Sequence, residues 1–345
     1  MGIMYSKCKN CGSDLVFNPK SNCLTCKHCE SNYFLPSKRK DAVLVRQYSS
    51  EFHPNQLCQF LKAYKCNSCG NVYYISSEER SKKCPCCGGA SVSLIEDNGY
   101  SADGVIPFSI TKEEAAKKFQ DYLKTHKSIP KELQKLAENQ KLMGVFVPVW
   151  NFSFNINASY SANLNELKKD ENGSYYSVTK PIFGDKYKRV KSFDESATSA
   201  QDDAFLELFD ENDYAKIIPF LPEYTYGYRV DSVDKNIHDY YYQITSKAEK
   251  GMQEDIKKWL NSKYKEVYEI QTRAIADDVF FNFTYVPVYV NTFNYKNKVY
   301  KTYISGTTGK IIGKPPRSTA SKVKTFLKTV LLLGAVAAIA YLFLK

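Results

Sequence analysis

Histidine is scarce in this 345-residue chain, with only His28, His53, His126 and His238. None stands in an HExxH pair or beside a nucleophile-elbow pattern, so metalloprotease and catalytic-triad chemistry lack their residues. Phosphate-binding GxxxxGK[ST] loops are missing too. The glycine-rich stretch SGTTGKIIGKPP at 305–316 has Ile304 where the first glycine would fall, and it is read as a hairpin turn between KVYKTYIS and KIIG. The opening MGIMYSKCKN has no apolar core of the kind a secretory signal carries, so an oxidising destination is not expected. Cysteine is absent after Cys87. No catalytic constellation is left, and the chain is expected not to be an enzyme.

What is present is uneven. Hydrophobic residues make up 43% and aromatics 14%, enough to bury a core and too much for a disordered chain. All eleven cysteines lie between Cys8 and Cys87. Cys8-x2-Cys11 is followed after fourteen residues by Cys26-x2-Cys29, and Cys66-x2-Cys69 after fourteen by Cys84-x2-Cys87. A CxxC turn presents two thiolates to one ion, and two such knuckles close a tetrahedral four-thiolate site. Two structural Zn2+ ions are therefore expected, one per ribbon, in a reducing compartment. Four cysteines leave no open coordination position, so neither ion is expected to activate water.

Cys23, Cys58 and Cys86 are left over. Cys23 also forms a CxxC with Cys26, but the repeat spacing argues against that register; Cys58 reads as a small buried hydrophobe. His28 lies inside a knuckle and offers an alternative to a thiolate that four cysteines make unnecessary.

Beyond the ribbons, DGVIPFSITKEEAAKKFQDYLKTH reads as a strand and then a helix. Thr111 and Glu114 form a capping box, and Ala115, Phe119, Tyr122 and Leu123 share a face. A polar helix around 130–142 and a strand in GVFVPVWNFSFNINASYSA follow. The order recurs. IIPF at 217–220 echoes VIPF. A helix of about 246–263 follows, capped by Ser246 and Glu249, and FTYVPVYVNTFNY echoes VFVPVWNFSFN. Pro148 and Pro287 are expected on edge strands or bulges, and 161–203 as a hairpin with a long mobile connection.

Residues 326–344 are almost wholly apolar, interrupted only by Lys328, which is about the length of a membrane-spanning helix. Residues 310–328 carry Lys310, Lys314, Arg317, Lys322, Lys324 and Lys328 without an acid, which accounts for six of the net +11 charges. Those cations are expected to face anionic lipid and to keep the bulk of the chain on the cytoplasmic side of a cell membrane, crossed once. The expected fold is α+β. Zinc ribbons occupy 1–36 and 60–96, and a duplicated body with antiparallel sheets occupies 103–200 and 215–315. A basic linker at 316–325 and one transmembrane helix at 326–345 complete it.

That order, with the blocks IIPFLPEYTYGYRV and YVPVYVNTFNY…SGTTGKIIGKPP, resembles a family of bacterial zinc-ribbon membrane proteins. Its members are frequently labelled as similar to the primosomal helicase N′ or to a TFIIB-type zinc ribbon. The helicase label finds no motor motif here. The resemblance implies a membrane-anchored adaptor or scaffold that recruits cytoplasmic proteins in envelope stress, with phage shock protein A-like or SPFH-like partners. The alternative is a membrane-tethered, nucleic-acid-binding regulator, which the modest basic residues near the ribbons favour less.

Overall fold

The computed structural model describes residues 7–36, 43–51, 61–68, 72–76, 90–95, 102–126, 129–130, 142–295 and 298–313. The fold is α+β and most of its strand pairing is antiparallel. Two three-stranded sheets come first. One holds β1 (Leu15–Asn18), β2 (Cys23–Cys26) and β3 (Asn32–Phe34). The other holds β5 (Leu61–Cys66), β6 (Val72–Ser76) and β7 (Val92–Ile95), with β5 in the middle. Between them β4 (Arg46–Gln47) is clipped onto the body sheet.

The body is a nine-stranded sheet dominated by β9 (Met143–Lys169), β10 (Tyr175–Ser196) and β13 (Val267–Tyr295). Its main path runs β10-β9-β13-β14-β15, with β14 at Lys298–Ser305 and β15 at Ile311–Gly313. The short strands β8 (Gly104–Val105), β11 (Ile218–Pro219) and β12 (Arg229–Val230) attach beside it. Two helices, α1 (Lys112–Thr125) and α2 (Ile237–Lys263), cover one face.

The sequence explains where that sheet is covered. At 145–150 every residue of VFVPVW is buried, because both faces are packed. Phe146, Trp150, Phe281, Phe283 and Tyr289 join α1 and α2 in one core. Val145, Val147, Val149, Val286 and Val288 meet Phe205, Leu208 and Tyr214 in a second core on the other face. Past Phe152 the pattern changes to alternation. Phe154, Ile156 and Ala158 are buried, whereas Asn157, Ser159 and Ser161 are exposed, so here only the helix face is covered.

A repeat is built into this body, centred on the two VPV motifs. Val147 and Val286 hold the same motif position and face each other across β9 and β13. β12 runs parallel to β9 with Arg229 opposite Val145, and β8 runs parallel to β13 with Gly104 opposite Thr284. Ala197 N–H donates to the Pro148 carbonyl and Gly306 N–H to that of Pro287, each at 2.9 Å. The Asp234 and Lys235 amides donate back to Ala197, and the Ser109 and Ile110 amides to Gly306. The two donating turns read SATSA (196–200) and SGTTG (305–309), and Asn236 and Thr111 then cap the helices.

Several local expectations are corrected by these pairings. The counterpart of GV at 104–105 is RV at 229–230, not the IIPF stretch, which instead pairs with β8 as β11. Pro148 and Pro287 sit in interior strands. Each is tolerated because the neighbouring strand departs at that point: the ladders end at Ser196 opposite Val149 and at Ser305 opposite Val288. Residues 175–196 are a strand rather than a mobile connection; only 170–174 turn the hairpin. α2 begins at Ile237, nine residues before Ser246, because the Asn236 side chain already accepts from His238 N–H. The capping box of Thr111 and Glu114 forms, with Ala115, Phe119 and Leu123 buried. The hairpin of β14 and β15 also forms.

The polar helix expected near 130–142 lies outside the described residues over 131–141, and the basic linker and apolar tail from 314 onward lie outside them entirely. Among the described residues no helix is long and apolar enough to cross a membrane.

Candidate metal centre

The first ribbon repeats a six-residue phrase, CKNCGS at 8–13 and CKHCES at 26–31. Each phrase folds the same way. Cys8 N–H donates to Ser13 O at 2.8 Å and Cys26 N–H to Ser31 O at 3.0 Å. Gly12 and Glu30 amides reach back to the Cys8 and Cys26 carbonyls, and both residues have positive φ, 73° and 60°. The two turns thus place two sulfurs apiece on one side. The β1–β2 hairpin, with Leu15 opposite Cys26, brings the turns together.

Sγ atoms of Cys8, Cys11, Cys26 and Cys29 all lie within 4.8 Å of one another. Cys8 is 3.4 Å from Cys29, and Cys11 is 3.4 Å from Cys26. A tetrahedral ion with bonds near 2.3 Å spaces its sulfurs by about 3.8 Å, so the donor set fits a four-thiolate metal ion. Among the described residues this is the one group with such geometry.

Outer groups orient the sulfurs. The Tyr33 hydroxyl is 3.3 Å from Cys8 Sγ and accepts from Lys9 N–H at 2.9 Å. The amides of His28 and Cys29 point at Cys26 Sγ, at 3.4 and 3.5 Å. Ser31 Oγ is 3.1 Å from Cys29 Sγ.

Tyr33 hydrogen bonding lowers the Cys8 thiol to about 6. At Cys26 the Cys29 and His28 amides pull down, yet burial and the neighbouring sulfurs win and push it up to about 11. Four thiolates so close repel one another, and a dication removes that repulsion, which is why such clusters hold metal. Cys23, by contrast, is buried in β2 against Ser21 and Asn32, outside the cluster.

The ribbon is seated on the body. Phe17 N–H donates to Tyr226 O at 2.9 Å, and the Phe17 and Tyr224 rings meet edge to face at 5.1 Å. Gly227, at φ 86°, lets Val16 approach; a Cβ there would lie 2.8 Å from a Val16 methyl. Lys20 pairs with Glu114 on α1.

Of the second expected set, Cys66 is buried at the end of β5, where the Asn67 amide donates to Ser91 O at 2.9 Å. Cys69, Cys84 and Cys87, with the spare Cys58 and Cys86, lie outside the described residues. Among the expected lipid-facing cations only Lys310 is described; its Nζ donates to the Glu207 carbonyl. Sequence reasoning missed Tyr33, Ser13 and Ser31. The repeated CK-x-C-x-S phrase carried the signal for both serines, whereas a tyrosine four residues beyond a knuckle carries none.

The fold and the site together define an α+β chain with a four-cysteine cluster docked on a sheet body. The sequence matches no protein-family model, and no solved structure matches it. It is similar to a protein described as the uncharacterized protein YdjG of Bacillus subtilis (strain 168). The two are 24% identical over 324 residues, which covers 92% of this chain and 91% of that protein.

Proposed function

We propose that the chain is a non-catalytic, membrane-anchored zinc-binding adaptor that gathers cytoplasmic proteins at the membrane, with a place in envelope stress. The observation that carries this reading is the closed four-sulfur cluster, seated on a folded body through Phe17, Tyr224 and Tyr226. Four protein ligands fill a tetrahedral ion, so the metal stiffens a surface and leaves no position for substrate. Cys8, Cys11, Cys26 and Cys29 would hold one Zn2+. Cys66, Cys69, Cys84 and Cys87, at the same spacing, would hold a second. The apolar run 326–344 would supply the anchor, and Lys314, Arg317, Lys322, Lys324 and Lys328 its contact with anionic headgroups.

By resemblance, the recruited proteins are of the phage shock protein A-like or SPFH-like kind. Nucleic-acid binding is the lesser reading. Of the lysines in the first ribbon, Lys7 is already paired with Asp14 and Lys20 with Glu114. The test is co-purification from detergent extract of the full chain against a chain lacking residues 1–36. The adaptor reading expects partners of the full chain to be lost from the shortened one, and an unchanged partner set contradicts it. Salt-sensitive retention of the full chain on single-stranded or duplex nucleic acid would favour the lesser reading instead.

A further inference from the structure

β10 is the margin of the body sheet. Its inner side pairs with β9 from Tyr175 opposite Lys169 to Ser196 opposite Val149, with one irregularity between Val190 and Phe193. Among the described residues no strand pairs with its outer side, so a row of backbone donors and acceptors faces outward.

Two features of that margin are chemical. Within KPIFGDKYKRVK at 180–191 stand Lys180, Lys186, Lys188, Arg189 and Lys191 against a single acid, Asp185. Three of the lysines and the rings divide between the two faces, while Asp185 and Arg189 share the side of the rings. Lys186 and Lys188 lie opposite Ala158 and Ile156 and share the helix-covered side, where Lys186 Nζ stands 3.8 Å from the Trp259 ring and Lys188 Nζ 3.9 Å from Asp255 in an exposed pair; Lys180 pairs with Glu166. Phe183 and Tyr187 lie opposite Ser161 and Asn157 on the open side, 78% and 62% exposed.

The geometry points to strand addition: β10 takes up an extended protein segment in which acidic residues alternate with apolar ones. Main-chain pairing along the margin would supply affinity, and alternate side chains would supply specificity. Acids of the incoming strand fall beside Lys186 and Lys188, while its apolar residues fall beside Phe183 and Tyr187. The same charges disfavour a second copy of this chain, because pairing β10 with itself brings two cationic runs together. Lysines that keep like strands off an edge select for a strand of opposite charge. This surface is separate from the ribbons and does not depend on the membrane anchor.

The test uses the purified full chain and synthetic peptides of about ten residues. One alternates glutamate and valine, a second has prolines in place of its central valines, and a third has lysine in place of glutamate. The glutamate peptide is expected to bind saturably, weaken as salt rises, and slow hydrogen exchange along 180–191. The proline and lysine peptides should bind at least about tenfold more weakly. The double variant K186E/K188E changes one exposed and one half-buried position at the sheet margin and should reverse the preference towards the lysine peptide. Equal binding of the proline peptide, absence of binding, protection confined to other strands, or an unreversed preference in the double variant would each overturn the proposal.

Discussion

Residues 7–36 bury six apolar side chains, namely Cys8, Leu15, Phe17, Cys23, Leu24 and Cys26, and half of these are cysteines. Across the seam, β9 alone buries Trp150, Phe152, Phe154 and Ile156 and pairs with β10, β13 and β12. A segment of about thirty residues cannot collect enough buried area to hold itself, and its turns converge on a four-cysteine cluster that could hold a metal ion. The sheet needs no such device, because both faces at the VPV crossing are packed. On the proposed reading the two regions draw on two sources of stability, and they are joined at Phe17, Val16 and Gly227.

That contrast can be broken in order of expected effect. Cys26→Ser removes a buried ligand. Since structural zinc sites of this kind are worth on the order of 10 kcal/mol to the unit that binds, the ribbon should lose its ion and its fold. Metal analysis should show one ion fewer while circular dichroism of the sheet persists. Trp150→Ala acts in the opposite direction. It empties a site that is 1% exposed and packed by Phe281 and Phe283. A loss of about 3–5 kcal/mol in denaturant unfolding is expected, with metal content unchanged in the folded fraction.

Asp194 provides a pH signature confined to the body. Burial raises its carboxyl from 3.8 to about 6, against the hydrogen bonds of Asn151 and Ser192. A carboxyl raised by folding stabilises the protein below the unfolded value, and that stability is lost as pH rises through about 6. The loss is about 3 kcal/mol at about 1.4 kcal/mol per unit. Asp194→Asn should therefore flatten the stability profile between about pH 4 and 6, measured by urea unfolding at several pH values. Parallel profiles for parent and variant would refute the assignment.

The smallest effect tests the seam. Gly227→Ala puts a Cβ at positive φ within 2.8 Å of Val16. A cost of about 1–2 kcal/mol should appear as faster exchange at Phe17 and Tyr226, with zinc affinity held.

Much of the metal centre was legible, because a four-thiolate site demands thiolates at fixed spacing and the spacing survives in the sequence. The α1 cap was legible for the same reason: Thr111 and Glu114 act within one turn. What escaped depended on distant partners. β10 is a strand only because β9 offers a ladder; its lysines and aspartate read as loop. The helix expected from Ser246 starts at Ile237 instead, because Asn236 caps it just before the strand-favouring run Tyr240, Tyr241 and Tyr242. The pairing of β11 with β8 made two look-alike segments neighbours rather than equivalents, which a match of IPF to IPF cannot reveal.

Hydrogen exchange of the full chain, with and without a zinc chelator, tests the two-source account most directly. The account predicts that chelation abolishes protection across 7–36 while β9 and β13 keep theirs. Retained protection in the ribbon, or loss spreading through the sheet, would contradict it.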